Sequence, residues 1–324
     1  MTTSNLLELR DLCVSYGTPE RPLPAVAHVD LAIRPGEIIG IAGESGSGKS
    51  TLCSAMIRAL PDEARVAGDI VFAGRSLNAM GAAELRRLRG REISMILQNP
   101  MTSLDPLFTI GDQLGEVLTT RAGVSAAERG RRMVDVLRAV HLTAPERRVH
   151  QYPHELSGGM RQRVLIGMAS SAAPKLLLAD EPTTALDATI QEEILVLFNE
   201  IRDRHGTAIV VVTHDLGVIR RLCDRIVIMY LGRIVEEGPV ETIFESPQHP
   251  YTRALLDSIP RIDGKRGALR TIPGQVPSLA DAGENCAFAP RCARVQPRCR
   301  AEIPRETRIA DDHRAFCWDL EPRP

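Results

Sequence analysis

Gly43-Glu44-Ser45-Gly46-Ser47-Gly48-Lys49-Ser50 alternates glycines with hydroxyl side chains and ends in a lysine. Glycines at that spacing let the backbone curl until successive N–H groups converge on phosphate oxygens, while Lys49 neutralises the outer phosphates. Ser50 is the hydroxyl placed to ligate Mg²⁺, and Thr51 is a further phosphate contact. Gly43, Ser45, Gly46, Gly48, Lys49, Ser50 and Thr51 are therefore the candidate phosphate-binding residues. Read blandly, the same run merely joins a strand to a helix.

Farther along, Leu176-Leu177-Leu178-Ala179 runs into Asp180-Glu181. Two carboxylates at the end of an apolar strand are costly unless they meet a cation or a proton in transit. Asp180 suits Mg²⁺, and Glu181 suits the general base that orients and deprotonates an attacking water in phosphoryl transfer. The plain alternative is a pair of acids solvating a strand end. Between these stretches, Leu156-Ser157-Gly158-Gly159 opens a helical run. Unpaired N–H groups and the positive helix end make Ser157, Gly158 and Gly159 a second anion reader.

Two further side chains fit the same chemistry. Gln98 ends its own strand, where an amide can reach Mg²⁺ and water or simply cap a turn. His214 lies just past another strand, at the carboxyl edge where open α/β sheets bind ligands; it is either a γ-phosphate contact or a polar loop residue.

The elements that must position these groups follow from periodicity. Residues 6–14, 25–33 and 37–42 read as strands, the last feeding the glycine-rich loop and a helix over 49–60. Residues 92–97 form another strand. From 107 to 173 the period becomes helical, with Ser125-Ala126-Ala127-Glu128 as a capping box and Met133, Val136, Leu137 and Val140 on one face. Strands resume at 175–179, 207–212 and 225–230, with a helix at 188–205 ended by Gly206. Apolar runs of this continuity predict a sheet covered on both faces. Short helices follow at 239–246 and 251–258, and beyond Pro260 the chain is rich in Pro, Gly and Arg. The expected architecture is α/β around a P-loop unit; that of a P-loop NTPase with a mixed sheet core and an antiparallel β part at the N-terminus is what the family resemblance of these motifs implies. A helical subdomain spans about 107–173, and a small cysteine-rich extension completes the chain. Residues 1–240 form the nucleotide domain and 241–324 the extension.

The chain has 324 residues, 44% of them apolar, enough for one large or two modest domains. A net charge of -1, from 40 basic and 41 acidic residues, writes no general attraction to nucleic acid or anionic lipid into the sequence. The N-terminal residues lack a signal pattern and no apolar run approaches the roughly 20 residues of a membrane helix, so a soluble, cytoplasmic protein is expected. Seven cysteines in that setting are core thiols or metal ligands.

Taken together, residues 6–238 resemble the ATP-binding cassette ATPases. The resemblance implies that Tyr16 stacks on adenine, that Gln98 is the Q-loop glutamine, and that Leu156 to Gln162 form the signature. It makes Asp180 and Glu181 the Walker B pair, Ala185-Leu186-Asp187 the D-loop, and His214 the switch histidine. Tyr16 has the bland reading of a surface aromatic and Asp187 that of a helix N-cap. In this family two such domains dimerise head to tail, so the signature of one closes over ATP held by the other.

A narrower likeness rests on Gln98-Asn99-Pro100-Met101-Thr102-Ser103-Leu104-Asp105-Pro106, on Tyr152-Pro153-His154-Glu155, on His249-Pro250-Tyr251-Thr252-Arg253-Ala254-Leu255-Leu256 and on Ile272-Pro273-Gly274-Gln275-Val276-Pro277-Ser278-Leu279. These resemble the ATPase subunits of dipeptide, oligopeptide and nickel importers. The likeness implies ATP hydrolysis with Mg²⁺ at the cytoplasmic side of the inner membrane, peripherally bound. It also implies a second, distinct ATPase subunit in a heterodimer, two membrane permease subunits and an extracytoplasmic substrate-binding protein. The segment after Gln98 would form much of the groove that receives a coupling helix. Two other readings stay open: a soluble cassette ATPase acting on nucleic acid or the ribosome, and a metal- or redox-sensing interaction module. The first usually carries two cassettes or a long coiled-coil insertion, and neither is seen here, so no nucleic-acid partner is expected.

Cys286, Cys292, Cys299 and Cys317 are separated by five, six and seventeen residues. Four thiolates in a segment with little core of its own could hold a metal centre that in turn orders it. The likeness to the importer subunits implies a 4Fe-4S cluster; zinc is the alternative, although structural zinc sites favour closer cysteine pairs. Four free thiols are the remaining reading. Cys13, Cys53 and Cys223 read as core thiols.

Overall fold

A computed structural model describes residues 5–18, 20–259, 272–278 and 283–320. Leu279, which closes the 272–279 motif, lies outside the described residues, as do 260–271 of the expected extension. The strands in chain order are β1 (Leu7–Thr18), β2 (Arg21–Ile33), β3 (Ile38–Ala42), β4 (Arg65–Phe72), β5 (Arg75–Ser76), β6 (Ile93–Ile96), β7 (Leu176–Asp180), β8 (Ala208–Val212), β9 (Arg225–Tyr230), β10 (Arg233–Pro239), β11 (Thr307–Ala310) and β12 (His313–Ala315). The helices are α1 (Lys49–Met56), α2 (Ala82–Leu88), α3 (Pro100–Ser103), α4 (Ile110–Thr120), α5 (Ala126–Ala139), α6 (Pro145–Arg148), α7 (Gly158–Ser170), α8 (Ala188–His205), α9 (Leu216–Leu222), α10 (Val240–Glu245) and α11 (Pro250–Asp257).

The chain divides into two compact units. The first is built from residues 33–37 and 77–211, with Asn5 and Leu6. In it β8, β7 and β6 lie side by side, and β6 and β7 run parallel from Ile93↔Leu176 to Ile96↔Ala179. Leu176, Leu177, Leu178 and Ala179 are fully buried, as a continuous apolar run on a doubly covered sheet requires. The helical stretch is present as α3 to α7. Val136, Leu137 and Val140 of its expected face are buried, and a Cβ on Gly167 of α7 would sit 3.1 Å from Val136, so the two helices pack through that glycine. The capping box expected at Ser125 does not form. Ser125 does occupy the N-cap of α5, but its hydroxyl donates to the Glu128 carboxylate at 2.7 Å instead of accepting a backbone N–H. A complete capping box sits at α4, between Thr109 and Asp112.

The second unit comprises residues 7–32, 38–76 and the chain from 212 on. One sheet has the order β2-β1-β4-β5, antiparallel from Leu7↔Phe72 to Ser15↔Arg65 with an irregularity between Arg10 and Cys13. The other runs β11-β12-β10-β9-β3. Its β3–β9 pairing is parallel and its β9–β10 and β10–β12 pairings antiparallel, which makes the sheet mixed. The strands after 300 thus extend the sheet on the far side of β10. Glu236 of β10 is fully buried, and its carboxylate accepts from the backbone N–H of Gln248 and of His249 and from His313 Nε2. Three donors offset the cost of burying that charge. Glu237 pairs with Arg225 and Arg314. Near the end of the chain, Ala289, Cys299 and Trp318 make a small apolar cluster with Cys286 and Val295 against it.

Candidate functional site

The second unit carries the phosphate loop. Every residue of β3 is buried, so the strand delivers Gly43 to a fixed point at its carboxyl end. Gly43 has φ 154° and a Cβ there would lie 2.2 Å from the Met229 carbonyl; Gly48 has φ 94° and a Cβ would lie 2.2 Å from the Ala25 carbonyl. Neither position accepts a side chain without moving backbone. A Cβ on Gly46 meets nothing within 4 Å, so the middle of the loop is open to a ligand. Lys49 is buried and its Nζ donates to the carbonyls of Gly43, at 2.8 Å, and Glu44, at 3.0 Å. The ammonium is thereby held inside the curl of the loop. Ser45 and Ser50 are exposed and Thr51 half-buried. Tyr16 is half-buried on β1. His214 is exposed between β8 and α9, next to Asp215, whose carboxylate caps α9 by accepting from Gly217 and Val218.

The first unit carries the acidic strand end. Asp180 closes β7 and is buried. Glu181 follows in the left-handed region at φ 48°, uncommon for a residue with a side chain and frequent where a functional group must be aimed. Its Oε2 accepts from Thr184 Oγ1 at 2.7 Å and from Gln98 Nε2 at 3.1 Å. The structure thus brings together Gln98 and Glu181, 83 residues apart, and adds Thr184, which the sequence reading missed. Ser157 is the N-cap of α7 and accepts from the Met160 N–H; Asp187 is the N-cap of α8 and accepts from Thr189 and Ile190. Asp187 therefore does hold the capping role named as its bland alternative. Gly159 is closed off, because a Cβ would lie 2.6 Å from Ile190 Cγ2. Gly158 is exposed with room around it.

None of the four cysteines near the chain end forms a disulfide. The N–H of Arg294 points at Cys292 Sγ, 3.3 Å away, and that of Gln296 at Cys299 Sγ, 3.4 Å away. Backbone N–H groups of Phe288 and Ala289 face Cys286, and that of Asp319 faces Cys317. Burial pushes the Cys286 thiol up to about 11 and the Cys317 thiol up to about 12, and raises Cys292 as well. The set has the N–H donors that thiolate ligands use, and a bound cation is what would deprotonate it. Among the described residues, three ligand atoms within 4.8 Å of one another occur at Asp11, Cys13 and His28, not among these four cysteines. A single tetrahedral zinc with bonds of about 2.3 Å would draw four sulfurs to roughly 3.8 Å of each other, so the thiols stand wider than one zinc ion needs.

One contact to the phosphate loop was invisible in the sequence. Glu44 is held by Arg291 and Tyr251, 247 and 207 residues away, and no local pattern relates them.

Residues 26–184 match the family described as ABC transporter, and residues 235–299 match that described as oligopeptide/dipeptide transporter, C-terminal region. The chain is 45% identical to a probable peptide ABC transporter ATP-binding protein of Sinorhizobium fredii, over 97% of this chain and 94% of the relative. It is also 45% identical to the oligopeptide transport ATP-binding protein OppD of Salmonella typhimurium, over 93% of this chain and 90% of that protein. Among solved structures, the dimeric post-hydrolysis state of the ATP-binding cassette MJ0796, bound to ADP and Pi, is similar with a TM-score of 0.64 at 31% identity. It covers 72% of this chain and 98% of that one.

Proposed function

Because the chain belongs to the ATP-binding subunits of ABC transporters, in the oligopeptide and dipeptide group, we propose that it hydrolyses ATP to power the import of peptides through separate membrane subunits. The observation that carries this reading is the presence, in one chain, of a built phosphate loop and of a C-terminal region matching that of oligopeptide/dipeptide transporters. Peptides are favoured over nickel because the relatives are named for peptide transport.

The site roles follow from the motifs. Gly43, Ser45, Gly46, Gly48, Lys49 and Thr51 cradle the phosphates, Tyr16 stacks on adenine, and His214 contacts the γ-phosphate. Glu181 is the general base, its carboxylate held in place by Gln98 and Thr184. Ser50, Gln98 and Asp180 would hold Mg²⁺, which when bound neutralises charge on the outer phosphates. Ser157, Gly158, Gly159 and Asp187 face a partner's ATP in a dimer, in keeping with the dimeric state named for the similar cassette. The partner is a second, distinct ATPase subunit, and the complex includes two permeases and an extracytoplasmic binding protein.

The first unit also presents a groove of about 760 Å³ lined by Leu97, Phe108, Val117, Leu165 and Met168. Leu97 and Phe108, which line it, are 55% and 53% exposed. Apolar side chains left in water beside a groove mark a surface awaiting a partner, and the groove receives a coupling helix of a membrane subunit. Among the described residues no helix is long and apolar enough to cross a membrane. As an ATP-binding subunit of a peptide transporter, the chain sits peripherally, on the cytoplasmic side of the inner membrane. Residues 241–324 act as an extension in which Cys286, Cys292, Cys299 and Cys317 hold a 4Fe-4S cluster. The N–H donors at the sulfurs, and sequence spacings longer than the close cysteine pairs of structural zinc sites, favour that ligand over zinc. Anaerobically purified protein should contain about four irons and absorb visible light; iron-free, colourless protein refutes the cluster.

Glu181→Gln tests the ATPase assignment. It should bind ATP with near wild-type affinity while turnover falls at least about a hundred-fold. Undiminished hydrolysis would remove Glu181 from the role of base.

A further inference from the structure

Glu44 is the one acidic residue in the stretch from Gly43 to Thr51. A carboxylate there opposes the phosphates the loop is built to hold, unless its charge is met from elsewhere. It is met by Arg291. Nη1 donates to Oε2 at 2.7 Å and Nη2 to Oε1 at 3.0 Å, the two-pronged geometry in which guanidinium and carboxylate bind most strongly. The Arg291 side chain is only 4% exposed.

Arg291 is itself held in place. Its Nε donates to the Pro273 carbonyl at 2.9 Å, Nη1 lies 3.3 Å from Tyr230 Oη, and the residue ends a short helical turn, Ala289–Arg291, immediately before Cys292. Behind it, the rings of Tyr230, Tyr251 and Phe288 pack on one another with centroids 4.7 to 5.3 Å apart. Tyr251 supplies a second hold, since the backbone N–H of Glu44 donates to its hydroxyl at 2.8 Å. The side chain and the main chain of one loop residue are thus both gripped from beyond residue 240.

We propose that Arg291 is a positioning residue for ATP binding: with Tyr251 it neutralises and fixes Glu44, so that the C-terminal region forms part of the nucleotide site. The inference deepens the ATPase reading and rests on it. It assigns the region a task that needs no metal, and it places the ion pair with Glu44 one residue before Cys292.

The test measures ATP affinity by titrating a fluorescent ATP analogue into the purified full-length chain, together with KM and kcat for hydrolysis. Arg291→Ala should weaken ATP binding and raise KM about ten-fold while kcat changes less than about two-fold, because the exposed Glu44 charge acts on binding. Arg291→Lys, which keeps the charge and loses the fork, should recover part of the loss. Adding Glu44→Gln to Arg291→Ala should bring affinity back to within about three-fold of wild type, since the uncompensated acid is then gone. Loss of stability alone would not be relieved in that way. Wild-type affinity in Arg291→Ala, or a loss that Glu44→Gln leaves in place, overturns the proposal. Should Arg291→Ala fail to fold, Arg291→Lys carries the test, and wild-type affinity in that variant overturns it equally. Failure of the wild-type chain to bind the analogue at all would instead refute the ATPase reading.

Discussion

His249 shows how far a single side chain can be committed by its surroundings. Its Nδ1 accepts the N–H of Tyr251 as the N-cap of α11, a task only the neutral ring performs, and burial holds its pKa down at about 3. The charged group facing it is Glu236, which accepts from the His249 N–H. An unfolded histidine titrates near 6.5, so between about 3 and 6.5 the unfolded chain binds the extra proton and stability falls as pH drops. At pH 5 the expected cost is about 2 kcal/mol relative to pH 7. Urea unfolding at both pH values should show that loss in wild type and a smaller one in His249→Asn, whose side chain still caps; equal slopes would contradict it. At this scale the loop from Gly43 to Thr51 and the Asp180-Glu181 pair were legible, because each packs its chemistry into neighbouring residues. The partners Gln98 and Thr184 on Glu181, and Arg291 on Glu44, were not readable as pairs, because contact across 83 or 247 residues leaves no local period.

Among the elements, legibility tracked burial. β3 and β8 are apolar throughout, β7 and β9 are charged only at the end residues Asp180 and Arg225, and all four lie within a residue or two of where the pattern put them. The strands that escaped notice carry charge: β10 contains Glu236 and Glu237, buried only because His313, Arg225 and Arg314 meet them, while the first half of β4 and most of β11 are exposed. The capping box was misplaced for a related reason. Ser125 and Glu128 have the right spacing, but in solvent the hydroxyl bonds the carboxylate directly. The start of α7 was read correctly as a helix opening on Ser157, and its close packing on α8 yields a sharp expectation. Gly159→Ala places a methyl 2.6 Å from Ile190 Cγ2, so α7 or α8 must shift. It should cost about 1–3 kcal/mol of stability and reduce hydrolysis, whereas Gly158→Ala, with open space, should leave the melting temperature unchanged. Differential scanning calorimetry separates the two, and equal melting temperatures would show that the contact yields at no cost.

At the scale of the whole molecule, family membership, hydrolysis and transport were all readable from the motifs, and the likeness already put the groove proposed for the membrane partner after Gln98, while its remaining walls needed coordinates. The groove beside α4 and α7 is assembled from Leu97, Phe108, Val117 and Leu165, residues spread over nearly 70 positions and unremarkable one by one. Phe108→Asp should abolish association with the membrane subunits without changing ATP affinity, because it touches none of the nucleotide residues. The most direct measurement of the transport assignment is affinity isolation of the tagged chain from cells in mild detergent, followed by identification of the chains that come with it. Two membrane permeases and a second cassette ATPase are the expected company, lost in Phe108→Asp. Recovery of ribosomes or DNA-repair factors in their place would contradict the assignment.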